Sequence, residues 1–195
     1  MRKIRTTIIK KAEIIYFMAF FCGILLANLL GIEQLKQYSI FNEYFLNQLL
    51  YVSVNYNDLL FYIAENRGIM FVLLLVFSVT KFGIPVHFLY IIWNGFSFGI
   101  AMVSVIVNFG FKGILVLCAF LLPQYLFYIL TYIMLFYFSW QWTDIVKNEK
   151  YRQPLFSKKI WAVCFFIVMI LLFFIGIMTE SYLNPYIIKK IIKII

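Results

Sequence analysis

Charge is scarce in this 195-residue chain: 13% of residues are Asp, Glu, Lys or Arg, against 65% that are hydrophobic. A soluble domain is typically about a quarter charged and about half apolar, so a water-soluble globule is excluded, and no stretch is left over for a separate soluble domain. Histidine occurs once, at His87, so nucleophilic catalysis would have a single imidazole to serve as base. The three cysteines, Cys22, Cys118 and Cys164, lie far apart in apolar runs. Their spacing fits neither a metal site nor a disulfide framework, and they read as small hydrophobes. No cofactor motif is found. No groove of interleaved basic and aromatic residues is present to hold nucleic acid. The net charge of +9 gathers at the ends of apolar runs, where it speaks of topology and anionic lipid heads.

What remains is hydrocarbon in span-length pieces. The fold class expected is all-α: a polytopic membrane helix bundle of about five transmembrane helices with an interfacial amphipathic segment, in one domain covering 1–195. The spans expected are residues 14–31, 68–82, 86–107, 113–140 and 160–179. The first follows Arg2, Lys3, Arg5, Lys10 and Lys11 but is longer than a signal-peptide core and lacks a small-x-small cleavage site, so it reads as uncleaved. The second is the weakest. Arg67 and Lys81 leave thirteen residues between them, about 20 Å of helix, and both cations would have to snorkel to the interfaces. Residues 32–66 mix charge with Leu, Tyr and Phe at a helical period and suggest a helix lying on the membrane surface. Residues 186–195 repeat Ile and Lys as a basic interfacial tail.

Cation counting orients the chain. With five crossings and the N-terminus inside, eleven of the seventeen cations fall on the cytoplasmic side and six outside. If 68–80 does not cross, the split is nine and eight. The positive-inside rule therefore favours five crossings, with the C-terminus extracytoplasmic, although three tail lysines oppose it.

The informative residues are those that hydrocarbon ought to reject. Ala19, Gly23, Ala27 and Gly31 fall four apart and form a small-residue stripe on the first span; such a stripe lets another helix approach closely. Gly95 and Gly99 repeat the device on the third span, where Asn94 and Ser97 are placed to add interhelical hydrogen bonds. The run Gly95-Phe96-Ser97-Phe98-Gly99 also matches a hydrolase nucleophile elbow, but that motif needs a strand-turn-helix context. His87 lies ten residues before Ser97, about 15 Å along the axis, out of reach as its base. Pro123 is expected to kink the fourth span, and Gln124 to satisfy a freed backbone group or reach a neighbour. Glu180 is expected to close the fifth span just before Asn184 and Pro185. No acidic residue is expected well inside a span, which leaves His87 without a proton-relay partner.

The order of these landmarks resembles a known family. A small-residue first span leads to Asn94-Gly95-x-x-x-Gly99, then to Gly110-x-x-Gly113 and Leu122-Pro123-Gln124, and last to Glu180-x-x-Leu183-Asn184-Pro185. This is similar to the bacterial stage II sporulation protein M family, over roughly residues 14–186. Asn184 stands where that family more often has Ser or Thr, and the Ile/Lys tail has no counterpart.

The resemblance implies a five-span inner-membrane protein without a catalytic centre. In sporulation such a protein recruits two peptidoglycan-degrading partners, stage II sporulation proteins D and P, during engulfment. It also implies relatives outside sporulation, among them membrane proteins of circular bacteriocin production. Two functions are therefore carried forward: a scaffold for cell-wall remodelling, and a component of a transport or export system in which Asn94, Ser97, Pro123 and Gln124 line a path. Expected partners are the lipid bilayer, other membrane-anchored cell-wall-remodelling proteins and, as an open option, further copies of the chain.

Overall fold

The computed structural model describes residues 2–38, 41–147 and 159–193. Among these the secondary structure is helical apart from short connections, with no strand. The elements are α1 (Arg2–Leu30), α2 (Ile32–Tyr38), α3 (Glu43–Tyr51), α4 (Tyr56–Ser78), α5 (Gly83–Phe109), a 3-10 turn (Gly110–Lys112), α6 (Gly113–Lys147), α7 (Lys159–Met178), a π-helical turn (Thr179–Leu183) and α8 (Asn184–Ile192). Most of the charged loop after α6, residues 148–158, lies outside the described residues, as does the end of the tail, 194–195.

Among the described residues four helical stretches are long and apolar enough to cross a membrane: Lys10–Leu30, Tyr56–Ser78, Gly83–Trp142 and Val163–Ile192. The third contains the 3-10 turn that separates α5 from α6. The burial pattern is inverted relative to a protein in water. Ser78, Thr131, Ser139 and Ser181 are wholly buried, while Leu29 is 85% exposed, Phe82 68% and Trp93 65%. Water would penalise that much open apolar surface, whereas acyl chains tolerate it and instead drive polar side chains inward. This is the arrangement of a membrane protein.

The chain divides into two compact units. The first comprises 1–53, 88–120 and 187–195: α1 to α3, most of α5, the start of α6 and most of α8. The second comprises 54–87 and 121–186: α4, the start of α5, the rest of α6, α7 and the π-turn.

Helix boundaries follow local chemistry. Asn55 caps α4: its Oδ1 accepts from the backbone N–H of Asn57 at 3.2 Å, and its amide donates to Asp58 Oδ2 at 2.6 Å. This is a variant of the capping box, with Asp three residues after the cap. Asn42 caps α3 in the same way, accepting from the Tyr44 N–H at 3.0 Å. The α4 cap revises the expected second span. The helix begins twelve residues before Gly68, is 23 residues long, and so measures about 35 Å. Arg67 lies along its length, not at its end, and the single surface helix expected over 32–66 is replaced by α2, α3 and the first half of α4.

Gly31 also departs from expectation. A Cβ there would meet nothing within 4 Å, so it is no part of the packing stripe; with φ +92° it ends α1 in the left-handed region that glycine favours. Gly110, with φ +58°, turns the chain between α5 and α6. Gly110→Ala is expected to lower stability by about 1 kcal/mol through left-handed strain alone, since nothing lies within 4 Å of the added carbon. A thermal melt in detergent with an unchanged midpoint would remove that role.

The last helix does not stop at residue 179, where the fifth span was expected to end. Pro185 lacks an N–H and its ring crowds the carbonyl four residues back. The helix widens there, so that the Asn184 N–H bonds to Thr179 O, five residues back. Such π-turns insert one extra residue per turn and re-aim the side chains around them. Helical structure then continues to Ile192, which places Glu180 inside the long apolar stretch Val163–Ile192.

Candidate functional site

In the second unit the widened turn delivers Glu180 to two partners. Arg67 on α4 donates to it twice, from Nη2 to Oε1 at 2.7 Å and from Nε to Oε2 at 3.1 Å. Tyr128 on α6 donates its hydroxyl to Oε2 at 2.7 Å. The guanidinium also lies over the Tyr128 ring, 5.4 Å from its centroid, within cation–π range. One carboxylate is thus held by a planar fork and a phenol, the charge-assisted geometry that arginine favours.

Around this cluster the packing is aromatic and close. Phe71, one turn on from Arg67, stacks on Phe173 with centroids 4.3 Å apart, and Tyr56 stacks on Tyr182 at 5.7 Å. Gly176 makes room for the Tyr128 ring: a Cβ there would come within 2.6 Å of it. Gln124, one turn before Tyr128, and Asn184, one turn after Glu180, are both buried and extend the polar seam along α6 and the last helix. The carboxylate expected to cap the fifth span is therefore an internal ion-pair member, and an acidic residue does lie within a long apolar helix. Sequence reasoning missed Arg67 and Tyr128 as members of this site.

A further polar group in the second unit centres on His87. His87 is buried; its Nδ1 lies 2.9 Å from Gly83 O and its Nε2 3.4 Å from Ser78 Oγ. Ser78 Oγ in turn donates to Leu74 O at 2.6 Å. The imidazole therefore ties the end of α4 to the start of α5, while Lys81 between them is exposed.

In the first unit the small residues meet one another. A Cβ on Gly95 would lie 2.6 Å from Tyr16 O and 3.2 Å from the Ala19 methyl. One on Gly99 would strike Phe20 O and come within 3.2 Å of Gly23 Cα, and one on Gly23 would strike Phe96 O. Backbone therefore lies against backbone where α1 crosses α5, the close approach that small residues allow. Ala19 and Ala27 are buried on the same stripe, and Phe20 and Phe98 flank the contact with centroids 5.5 Å apart. Two neighbours do not act as expected. The Asn94 amide donates to Tyr90 O on its own helix at 2.8 Å, and Ser97 is exposed. Pro123 is half-buried inside α6, which continues past it.

Among the described residues no three His, Cys, Asp or Glu side chains are grouped to hold a metal ion. The family model for stage II sporulation protein M matches residues 12–185. The chain belongs to the stage II sporulation protein M family. No curated protein and no solved structure matches it. These landmarks fall within the matched range: the α1–α5 glycine contact, Pro123 and Gln124, and the turn that carries Glu180 with Pro185 just after it. For a member of the stage II sporulation protein M family, then, the Glu180-to-Pro185 stretch has a mechanical reading. Pro185 widens the helix, and the widened turn presents Glu180 to Arg67.

Proposed function

We propose that this member of the stage II sporulation protein M family is a non-catalytic, multi-pass scaffold of the bacterial inner membrane. It gathers peptidoglycan-degrading partners during engulfment in sporulation. The observation that carries this reading is the family match over residues 12–185. Two structural features support it. The apolar helix surfaces suit a lipid environment, and in the second unit Glu180 with Arg67 and Tyr128, and His87 with Ser78, are side-chain pairs that join one helix to another. In this reading α1, α4, α5, α6 and the last helix each cross once. The N-terminus is cytoplasmic, and α2, α3, the α5–α6 turn and the tail are on the wall side, where partners would be met.

Pull-down of the tagged full-length chain from sporulating cells tests it. Recovery of wall hydrolases is the expected result. Recovery of a transporter ATPase without any hydrolase would replace the scaffold with a transport component. Topology is read separately: a reporter placed within 148–158 should be cytoplasmic, and one fused after Ile195 should be external. Two reporters on the same side would overturn the five-crossing arrangement.

A further inference from the structure

The first unit contains a cleft of about 430 Å³, within the size range of small-molecule sites. It lies where α3, the α5–α6 turn and α8 come together. Its lining is of two kinds. Asn47, Asn108 and Lys112 supply polar groups, and Leu46, Phe109, Val116 and Ile192 supply hydrocarbon. No carboxylate is among the lining residues. Leu46 and Val116 are almost wholly buried, whereas Asn47 and Lys112 are exposed. The cleft therefore runs from the Lys112 ammonium and the Asn47 amide at the rim, past the half-buried Asn108, whose amide donates to Ser104 O at 2.9 Å, to an apolar floor.

Its walls are fixed. Gly110 and Gly113 set the turn, with Gly113 pressed against the Val105 backbone, and Lys189 donates to Val52 O at 2.6 Å to hold α8 to the end of α3. The surroundings are those of a head-group layer. Tyr44, Tyr51 and Phe111 are exposed on α3 and at the α5–α6 turn, and Lys190 and Lys193 follow on the tail. Exposed aromatic rings beside lysines mark the membrane–water interface.

We propose that this cleft is a binding site for an anionic phospholipid, with the phosphate at Lys112 and Asn47 and acyl carbon over Phe109 and Ile192, above the buried Leu46 and Val116. A soluble anion would leave the apolar floor unused, and a zwitterionic lipid would set its own ammonium against Lys112. One amphiphile with a net negative head satisfies both ends. The site goes beyond the scaffold reading: it makes the packing of α3 and α8 onto the α5–α6 turn depend on the lipid beside them.

The test uses the purified full-length chain in neutral detergent. Its thermal midpoint is followed against added dioleoylphosphatidylglycerol, dioleoylphosphatidylcholine or inorganic phosphate. Phosphatidylglycerol alone is expected to raise the midpoint. Lys112→Gln is expected to weaken its apparent affinity about fivefold, the order expected for one lysine at an anionic surface. Lys36→Gln removes the same charge from an exposed position on α2 outside the cleft and is expected to change nothing. Equal responses to the two lipids, or unchanged affinity in Lys112→Gln, would overturn the proposal. An equal loss in Lys36→Gln would also overturn it, by showing diffuse surface charge. Stabilisation by phosphate alone as strong as by phosphatidylglycerol would replace the lipid with a soluble anion.

Discussion

Replacing Arg67 with Leu is expected to destabilise the protein by about 3 kcal/mol, the low end for breaking a buried ion pair. The low end applies because Arg67 keeps 37% of its side chain accessible, against 14% for Glu180. The loss comes less from the missing bond than from the carboxylate left behind. Glu180 would keep the Tyr128 hydroxyl but lose both guanidinium contacts in surroundings formed by Phe71, Phe173 and Tyr128. The double variant Arg67→Leu with Glu180→Leu removes the stranded charge and is expected to recover most of the stability, since two apolar residues of similar size can replace such a pair at little cost. Thermal midpoints of the two single variants and the double variant in detergent form the cycle that decides it. Additive losses in the double variant would show that the two residues act independently, and the ion pair would lose its assigned role. Arg67→Lys is a second probe: an ammonium cannot reproduce the planar fork, so an intermediate loss is expected.

Gly99→Leu is expected to cost about 3 kcal/mol, the upper end for overpacking a filled site, and to reduce the folded protein recovered from membranes. Its neighbour across the contact is backbone: Phe20 O, Ile24 N at 3.1 Å and Gly23 Cα at 3.2 Å from an added Cβ. Backbone cannot turn aside as a flexible side chain would, so α1 and α5 must separate and surrender the contacts beside them. Gly95→Leu is expected to behave alike, since it would meet Tyr16 O. Gly68→Ala is the control. It adds a methyl to a helical glycine with nothing within 4 Å, and helix propensity alone should stabilise by about 0.5–1 kcal/mol. Wild-type levels and midpoints in both leucine variants would discard the α1–α5 packing face. A loss in Gly68→Ala as large as theirs would show that the assay reads any glycine change.

Part of this was legible because it is local. The inverted composition announced lipid as the solvent, and the four-residue spacing of small residues announced two smooth helix faces on α1 and α5. The α4 start was also written in the chain. Asn55 followed by Asp58 is a capping pattern, whereas a lone cation such as Arg67 resembles a span end unless its partner across space is known. The span end expected at Glu180, just before Pro185, is instead a π-turn that keeps the helix going. Gly31 fitted the stripe by its spacing alone, which cannot tell a packing glycine from one that ends a helix.

By itself, then, the sequence determined the solvent, the helical class, the family and which faces are small enough to press together, since each of these follows from residue type and short-range period. Which face meets which, and the bidentate bond shared by Arg67 and Glu180, 113 residues apart, emerge when the helices dock. The reason is physical: periodicity fixes the direction in which a side chain points on its own helix, but a partner across space is chosen by how whole helices dock, and no local signal carries that choice.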